Sequence, residues 1–146
     1  MKKTAKMAAA PCPCGSGQVF SQCCQPLLEG TAIASTAEQL MRSRFSAYSQ
    51  HNIAYLQASW HPDTCPDDLD PAEMAQVKWL DLRILGSEAG GANDDTGSVS
   101  FCARFKINGK AGRLQENSRF VRIDGRWLYL DGDIENSHAL FFDWYP

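Results

Sequence analysis

Four cysteines lie within thirteen residues near the N-terminus, and this cluster constrains the fold more than any other feature of the sequence. They form a Cys-x-Cys pair and a Cys-Cys pair, eight residues apart: Cys12, Cys14, Cys23 and Cys24. Adjacent cysteines rarely reach disulfide geometry, and the apolar run at residues 7–10 is shorter than the about 7–15 residues of a secretion signal. The pattern therefore predicts a metal site in a reducing compartment.

Four thiolates in two close pairs suit tetrahedral zinc, and a closed shell of four protein ligands is typical of a structural site. Gly15, Ser16 and Gly17 predict a turn that brings backbone amides to the sulfurs, where they offset a net charge of about −2. An iron–sulfur site is the alternative if the cysteines bind a metal. If they bind none, they are four ordinary buried or reactive thiols. We expect one structural Zn²⁺, with Phe20 anchoring this small unit on something larger.

The composition describes one globular domain, or one domain with a small appendage. Apolar residues make up 44% of the 146-residue chain and charged residues 21%, so the chain can build a core without disulfides. The net charge of −3 argues against a nucleic-acid partner, which favours a basic protein. No stretch approaches the about 18 apolar residues of a membrane span. We expect a soluble cytoplasmic protein.

A long helix is predicted after the cysteine segment. Ser35 and Glu38 have the spacing of a capping box, so the helix begins near Thr36 and extends to about residue 50. Its apolar side chains fall on one stripe: Ala37, Leu40, Met41, Phe45, Ala47 and Tyr48. Arg44 lies at the centre of that stripe, whereas Arg42 lies on the opposite face.

Short helices at residues 53–59 and 71–76 and a set of strands complete the predicted elements. Alternating patterns predict strands at residues 80–84, 99–107 and 113–120. Residues 127–130 are the last predicted strand, and its faces are left unassigned because both are apolar. Asn108-Gly109 and Asp124-Gly125 are signals for two-residue hairpins, and the Gly- and Asp-rich residues 86–96 predict a mobile connection. Helices followed by an antiparallel meander indicate an α+β fold with the helices on one face of the sheet.

The cysteine pattern resembles the SEC-C motif, the zinc-binding tail of the SecA translocation motor. In SecA the motif contacts the SecB chaperone and ribosomes, so the resemblance implies a protein partner. The SecA loop is usually rich in lysine, whereas residues 18–22 of this chain carry no charge. We therefore expect an apolar contact through an exposed Val19 or Phe20.

The chain from residue 11 to 132 is similar to the bacterial YchJ family, which is functionally uncharacterised. The motifs that carry this resemblance are Leu40–Tyr48, Trp60-His61-Pro62, Ala103-Arg104-Phe105, Glu116–Phe120 and Trp127–Gly132. The resemblance implies a nuclear transport factor two-like (NTF2-like) cone, in which helices pack on a curved sheet around a conical pocket. The expected organisation is a flexible arm (1–10), a zinc knuckle (11–30) and the NTF2-like domain (31–146).

Four residues are candidates for the pocket of that cone. Arg44 and Glu116 are charged residues on apolar faces, and if both point inward they must pair, as a structural salt bridge or as a polar floor of the pocket. Tyr48 lies one turn after Arg44 and could donate its hydroxyl into the same pocket. The alternative is that it is an ordinary core residue. His61 follows a helix end, where a carbonyl contact is the alternative to catalysis. No reaction and no catalytic residue follow from these positions.

The C-terminus and two further cysteines complete the features of interest. Cys65 and Cys102 have no catalytic neighbour in sequence. The C-terminal aromatic residues are expected to dock on the outer face of the sheet beside Trp79, or to form a homodimer interface. They are Phe141, Phe142, Trp144 and Tyr145.

Two principal functions remain open. The first is a protein-interaction adaptor that presents its zinc knuckle to a partner. The second is a small-molecule binder or enzyme with Arg44, Tyr48, His61 and Glu116 near the ligand, because one fold hosts many functions. A third hypothesis is contact with nucleic acid or ribosomes through Lys2, Lys3 and Lys6. The net negative charge of the chain argues against it.

Overall fold

The computed structural model describes residues 9–135, so the lysines of the arm and the C-terminal aromatic residues lie outside the described residues. After a 3-10 turn at Phe20–Gln22, the helices are α1 (Gln25–Leu28), α2 (Ala37–Ser49), α3 (Ile53–Ala58) and α4 (Pro71–Ala75). The strands are β1 (Val77–Ala89), β2 (Thr96–Ile107), β3 (Lys110–Ile123) and β4 (Arg126–Ile134). Within residues 9–135, no helix has the length and apolar character to cross a bilayer.

The four strands form one antiparallel sheet in the order β1-β2-β3-β4, and the helices pack on one face of it. Both predicted hairpin turns are confirmed, because Asn108, Gly109, Asp124 and Gly125 all have φ between 51° and 80°. Two successive residues with positive φ define the type I′ turn that matches the strand twist. The α+β fold predicted from the sequence is therefore confirmed.

The long helix α2 begins at Ala37, one residue later than predicted from Ser35 as its N-cap. Thr36 is the N-cap, and its hydroxyl accepts a hydrogen bond from the Gln39 backbone N–H at 3.1 Å. The Gln39 side chain accepts in turn from the Ser35 backbone N–H at 2.7 Å. The Thr36 cap and the contact between Ser35 and Gln39 thus take the place of the predicted Ser35/Glu38 box. The predicted apolar stripe of α2 is buried throughout.

The connection between β1 and β2 is shorter than predicted. Residues 86–89 belong to β1 and pair with residues 97–100, which leaves only residues 90–95 as a loop. Glycine is needed here because the backbones of Gly90 and Gly97 lie close together. A Cβ on Gly97 would lie 2.4 Å from the Gly90 Cα. The Gly90 carbonyl also accepts from the Ala37 N–H at 2.9 Å, which ties the loop to the start of α2.

A β-bulge in β1 changes the faces predicted for this strand. The register shifts between Trp79 and Asp81, so Leu80 is 39% exposed while Leu82 is buried. The Trp79 ring packs among the inner-face aromatic rings, with centroids 6.0 Å from Phe45 and 5.5 Å from Phe105. The expectation that Trp79 lies on the outer face is therefore wrong, while the docking of the C-terminal aromatic residues lies outside the described residues.

The end of the helical layer is tied to β4. Trp60 forms a parallel bridge with Tyr129, the His61 N–H donates to the Tyr129 carbonyl, and the Tyr129 N–H donates to the Ser59 carbonyl, both at 2.8 Å. The faces of β4, which the sequence left unassigned, are set by this contact. Trp127 and Tyr129 point into the core.

Candidate metal centre

The four cysteines converge as predicted. All four Sγ atoms lie within 4.8 Å of one another, with 3.5 Å between Cys14 and Cys23 and 3.9 Å between Cys23 and Cys24. None of the four is in a disulfide. Ligands on a tetrahedral ion with bonds of about 2.3 Å are about 3.8 Å apart, so the sulfurs already have the spacing of a closed metal site.

A short two-stranded loop brings the two cysteine pairs together. Pro11 and Val19 form an antiparallel bridge, and the Cys12 N–H donates to the Gln18 carbonyl at 2.9 Å. The turn between them needs glycine, because Gly15 and Gly17 have φ of 78° and 88°. The 3-10 turn then reverses the chain, so that Cys23 and Cys24 return to the first pair.

A hydroxyl supports the most accessible sulfur. The Ser16 Oγ lies 3.1 Å from the Cys23 Sγ and accepts from the Gln18 N–H at 3.2 Å. Because the oxygen already accepts from the amide, its proton is free to point at the sulfur. Sequence reasoning placed amide donors in this turn, and the Ser16 side chain adds a hydroxyl donor to them.

The pKa values of the thiols show that their sulfurs compete for protons. Hydrogen bonds from Cys12 and Cys24 hold the pKa of Cys14 well below its usual range, and hydrogen bonding to Cys12 and Cys14 raises the pKa of Cys24. Burial raises the pKa of Cys23 to about 11. Mutual repulsion opposes the ionisation of all four thiols, and a bound metal would release the remaining protons.

The long helix α2 contacts the cysteine unit (residues 11–24) with two polar side chains. Ser46 Oγ lies 3.6 Å from the Cys12 Sγ. Arg42 Nη1 donates to the Cys14 carbonyl at 2.8 Å, lies 4.0 Å from the Cys14 Sγ, and its Nε contacts Glu38 at 3.0 Å. The sequence analysis missed these contacts. The signal was the four-residue spacing of Glu38, Arg42 and Ser46, which places three polar side chains on one face of α2.

The cysteine unit has its own small core. Phe20 is buried with Cys12, Cys14 and Cys24, and Leu28 packs against this group. The prediction of an exposed Phe20 as a partner contact is therefore wrong, because its ring is buried against the cysteines. Val19 is only half-buried.

Arg44 lies at the centre of the main core, as predicted, but its partners differ from the prediction. Its Nη1 donates to the Leu56 carbonyl at 3.0 Å and to the Ser59 Oγ at 2.7 Å. The guanidinium also faces the rings of Trp60 at 4.7 Å and Tyr129 at 4.6 Å. Cation–π contacts and a carbonyl thus stabilise this buried charge without a carboxylate.

Glu116 is fully buried, yet no ion pair joins it to Arg44 within the described residues. Its Oε2 accepts from the Ser118 hydroxyl and from the Tyr129 hydroxyl at 3.1 Å. Burial raises the pKa of Glu116 to about 7, which favours the neutral acid. The predicted salt bridge is therefore wrong, and Tyr129 connects the two residues through its ring and its hydroxyl.

The other two pocket candidates lie apart from each other. Tyr48 is buried 6.0 Å from Arg44 and packs on Trp79 at 5.9 Å, and burial raises its pKa to about 12. The His61 Nδ1 accepts from the Asp63 N–H at 3.0 Å, so this ring closes a surface turn. Arg44, Tyr48 and Glu116 thus share one buried region, and His61 does not.

A surface groove lies elsewhere. It has a volume of about 330 Å³ and runs between residues 27–34, α3 and the start of β4. None of the four pocket candidates lines it. Its walls include Leu27 and Leu28 of α1, the helix that follows the last cysteine, and Tyr55 and Trp127 of the larger domain.

The remaining cysteines show no further site. Cys65 is half-buried and its sulfur contacts the Pro66 carbonyl at 3.7 Å. Cys102 is half-buried on the outer face of β2. Across residues 9–135, only the four N-terminal cysteines form a group that could hold a metal ion.

Two family models match the chain. The model of the SEC-C motif matches residues 10–26, and the model described as the YchJ, middle NTF2-like domain matches residues 36–132. The fold and the cysteine site thus define a protein that joins a SEC-C motif to an NTF2-like domain. The chain belongs to the YchJ family of bacterial proteins, which includes the uncharacterised UPF0225 proteins.

Similar proteins match over most of their length. A UPF0225 protein of Ralstonia nicotianae is 48% identical over 136 residues, which cover 86% of this chain and 92% of that protein. A UPF0225 protein of Chromobacterium violaceum is 47% identical over 131 residues, with coverage of 89% and 97%. These matches confirm the family predicted from the sequence.

Solved structures confirm the fold. The solution structure of a SEC-C motif containing protein from Rhodopseudomonas palustris has a TM-score of 0.75 and 35% identity, covering 86% of this chain and 98% of that one. A crystal structure of a SEC-C motif containing protein from Psychrobacter arcticus shares the fold at a TM-score of 0.70 and 24% identity, with coverage of 90% and 86%.

Proposed function

We propose that this chain is a zinc-dependent protein-interaction adaptor. Cys12, Cys14, Cys23 and Cys24 hold one structural Zn²⁺ that fixes the cysteine unit on the larger domain. The observation that carries the proposal is the convergence of four Sγ atoms within 4.8 Å against α2. An all-sulfur tetrahedral donor set favours zinc over the ions that prefer oxygen ligands.

The charge of the site supports this assignment. Four thiolates and one Zn²⁺ carry a net charge of about −2, which needs compensation where the sulfurs are buried. Arg42 supplies a positive charge 4.0 Å from the Cys14 Sγ, and the hydroxyls of Ser16 and Ser46 face other sulfurs. A zinc-loaded site is thus better matched to its surroundings than four isolated thiolates.

The zinc would act as a structural clamp. The cysteine unit buries few apolar groups of its own, and small units of this kind depend on a metal for their fold. Clamping this unit also fixes α1, which begins directly after Cys24. One wall of the surface groove is therefore positioned by the metal.

We propose that the groove receives an apolar segment of a partner protein. Its lining is mostly leucine, isoleucine, alanine and aromatic side chains, and Ile33 at its edge is 54% exposed. A contiguous apolar lining of a surface groove is typical of an interaction site. In this proposal the partner contacts the groove, and not Phe20 as the sequence analysis predicted.

The metal is tested by elemental analysis of protein purified without chelator. Wild type should contain about one zinc per chain, as a closed four-thiolate site requires. Cys23→Ser should lose most of this zinc, whereas Cys102→Ser, on the outer face of the sheet, should retain it. Less than about half a zinc per wild-type chain would contradict the assignment.

The adaptor function is tested by affinity purification from a bacterial lysate, with bound proteins identified by mass spectrometry. Ala58 lines the groove and Gln57 is an exposed neighbour on α3 that does not. A genuine partner should bind wild type and Gln57→Arg, and should be lost with Ala58→Arg and with Cys23→Ser. Equal capture by all four proteins would contradict a zinc-dependent groove.

A small-molecule function is the second candidate. The observation that favours it is a pair of buried polar atoms, Glu116 Oε1 and Trp60 Nε1, which have no hydrogen-bond partner in the described part of the chain. Thermal unfolding against a metabolite panel tests it. A compound that raises Tm for wild type but not for Glu116→Gln would support this candidate, and a panel without any shift would count against it.

A further inference from the structure

The four cysteines of the metal centre differ in their access to solvent. Cys12, Cys14 and Cys24 are 5%, 0% and 1% exposed, whereas Cys23 is half-buried. The two residues before it, Ser21 and Gln22, are exposed. A small molecule in solution therefore approaches the cluster from the side of Cys23.

A second sulfur lies within reach of Cys23. The Cys23 Sγ is 3.5 Å from the Cys14 Sγ and 3.9 Å from the Cys24 Sγ. A disulfide bond is about 2.05 Å long, so Cys14 and Cys23 need to approach each other by about 1.5 Å. Cys24 is the neighbour of Cys23 in sequence, and adjacent cysteines rarely reach disulfide geometry. The geometry thus favours Cys14 as the partner of Cys23 in a disulfide.

The two sulfurs also differ in how firmly their chain segments are held. The Cys14 carbonyl accepts from Arg42 on α2, and a Cβ on Gly15 would lie 3.2 Å from the Leu82 carbonyl of β1. Cys23 instead follows an exposed turn, and a Cβ on Gly17 at the near end of that turn would meet no atom within 4 Å. A shift of the Cys23 segment toward Cys14 therefore leaves the sheet undisturbed.

Peroxide is the class of reagent that fits this arrangement. The thiolate is both the form of cysteine that binds zinc and the form that attacks an oxidant. Cys65 and Cys102 are half-buried as well, but within residues 9–135 neither belongs to the group of cysteines that could hold a metal. Hydrogen peroxide is small and uncharged, so it can reach a sulfur that is only half-buried.

We propose that Cys23 is the site at which hydrogen peroxide oxidises the cluster, and that Cys14 then closes a disulfide with it. This inference rests on the proposed zinc site and adds a regulation to it. In a reducing compartment, which the cysteine pattern predicts, a disulfide is transient and typical of redox sensing. A dithiol reductant would open the bond again.

The two steps balance in atoms and electrons. The Cys23 thiolate attacks one peroxide oxygen, the O–O bond breaks and a hydroxide ion leaves, which gives a sulfenic acid at Cys23. The Cys14 thiolate then attacks the Cys23 sulfur, the S–S bond forms, the S–O bond breaks and a second hydroxide ion leaves. The two sulfurs together lose the two electrons that reduce peroxide to two hydroxide ions.

The disulfide would remove two of the four metal ligands. Cys12 and Cys24 alone do not complete a tetrahedral shell, so the site would lose its zinc. Because α1 begins directly after Cys24, this loss would free one wall of the surface groove. The adaptor would release its partner under peroxide and bind it again once reductant and zinc are restored.

The test treats the zinc-loaded full chain with hydrogen peroxide and follows the released zinc with a chromophoric chelator. About one equivalent of peroxide should release about one zinc, as the two steps require. Differential alkylation and tandem mass spectrometry then map the bonds, because cleavage after Phe20 separates the two cysteine pairs. The Cys14–Cys23 bond should form at least about tenfold faster than Cys65 or Cys102 is oxidised.

A sulfenic-acid probe and a control variant complete the experiment. Dimedone added together with the peroxide should label Cys23 before it labels any other cysteine. Cys102→Ser keeps all four ligands and should release zinc at the rate of wild type. Wild type is itself the protein that is mapped, so the result does not depend on how a ligand variant folds.

Three results would overturn the proposal. They are a first disulfide that does not join Cys14 to Cys23, a dimedone adduct at Cys65 or Cys102 ahead of Cys23, and zinc release without any disulfide. The proposed function fails in a different way. Wild type that contains no zinc but still forms the Cys14–Cys23 bond would contradict the zinc site and support the pairing.

Discussion

Single side chains decide whether each buried charge in this protein is tolerated. Arg42 and Arg44 lie two positions apart on α2 and therefore face different surroundings. Arg42 reaches the Cys14 carbonyl and lies near its sulfur, while Arg44 enters the aromatic core. The same residue type thus lies beside the cysteine cluster on one side of the helix and is held by aromatic rings on the other.

Arg42 is predicted to strengthen metal binding. Arg42→Gln removes the positive charge beside Cys14, and the loss of such a supporting contact typically costs 10–100-fold in metal affinity. Competition with a chromophoric zinc chelator measures this directly. Glu38→Gln is the matched control, because it breaks the ion pair but keeps the guanidinium. Equal affinities for wild type and Arg42→Gln would contradict the charge-compensating role.

Glu116 is predicted to make stability depend on pH. Its pKa rises from 4.5 to about 7 on folding, because burial disfavours the carboxylate. The folded chain then holds a proton that the unfolded chain has lost, so stability falls as pH rises from about 4.5 to 7 and levels off above. The cost in unfolding free energy is about 3 kcal/mol.

Glu116→Gln tests this dependence. The glutamine carbonyl can accept from Ser118 and Tyr129 as the Oε2 does, and the amide carries no charge at any pH. Urea unfolding at saturating zinc from pH 5 to 8 should show that the difference in unfolding free energy between variant and wild type grows toward pH 7. Parallel pH profiles would show that Glu116 is ionised in the folded state already at pH 5.

At the scale of elements, bulges and close approaches determine which face a residue occupies. Strict alternation placed Leu80 with Leu82 on one face, but the bulge after Trp79 turns Leu80 outward. At the end of the same strand, the Gly- and Asp-rich segment predicted a loop from residue 86, but β1 continues to Ala89, and the close approach that needs glycine lies between Gly90 of the loop and Gly97 of β2. Alternation predicts faces only while the ladder is regular, and it holds throughout the pairing of β2 with β3, which has no register shift.

Gly132 on β4 is predicted to be required for the packing of β3. A Cβ at this position would lie 2.2 Å from the Glu116 Oε2. Gly132→Ala should therefore lower the unfolding free energy by about 1–3 kcal/mol, as overpacking of a core does. Gly86→Ala is the control, because a Cβ there meets no atom within 4 Å. Chemical denaturation measures both variants.

A double-mutant cycle locates the cause. If the Gly132→Ala cost arises from the Glu116 carboxylate, it should be much smaller in a Glu116→Ala background. The same cost in both backgrounds would place the strain elsewhere in the strand.

At the scale of the whole molecule, two apolar cores lie side by side within residues 9–135. The cysteine unit has its own buried group, and the sheet and helices enclose a separate, larger one. The two are joined through polar contacts from α2, such as Arg42 to the Cys14 carbonyl. The predicted boundaries of the arm, knuckle and domain stay predictions, although the separate cores agree with a division after the cysteine unit.

Zinc removal is predicted to act locally. With a chelator, amide hydrogen exchange should rise in residues 11–24 and at the contact with Arg42 and Ser46, while β2 and β3 stay protected. Exchange followed by mass spectrometry measures this by peptide. Equal loss of protection in the sheet would show that the two cores fold as one cooperative unit.

The sequence alone determined the features that depend on neighbours along the chain. These are the four-cysteine site within thirteen residues, the hairpins at Asn108-Gly109 and Asp124-Gly125, and the apolar faces of α2 and β3. The tertiary structure decided the partners of buried charges. Arg44 and Glu116 both point inward, but Tyr129 comes between them, and Arg42 meets a loop from far upstream. Burial follows from local periodicity, whereas the partner of a buried group depends on which distant side chains the packed elements bring within a few ångströms.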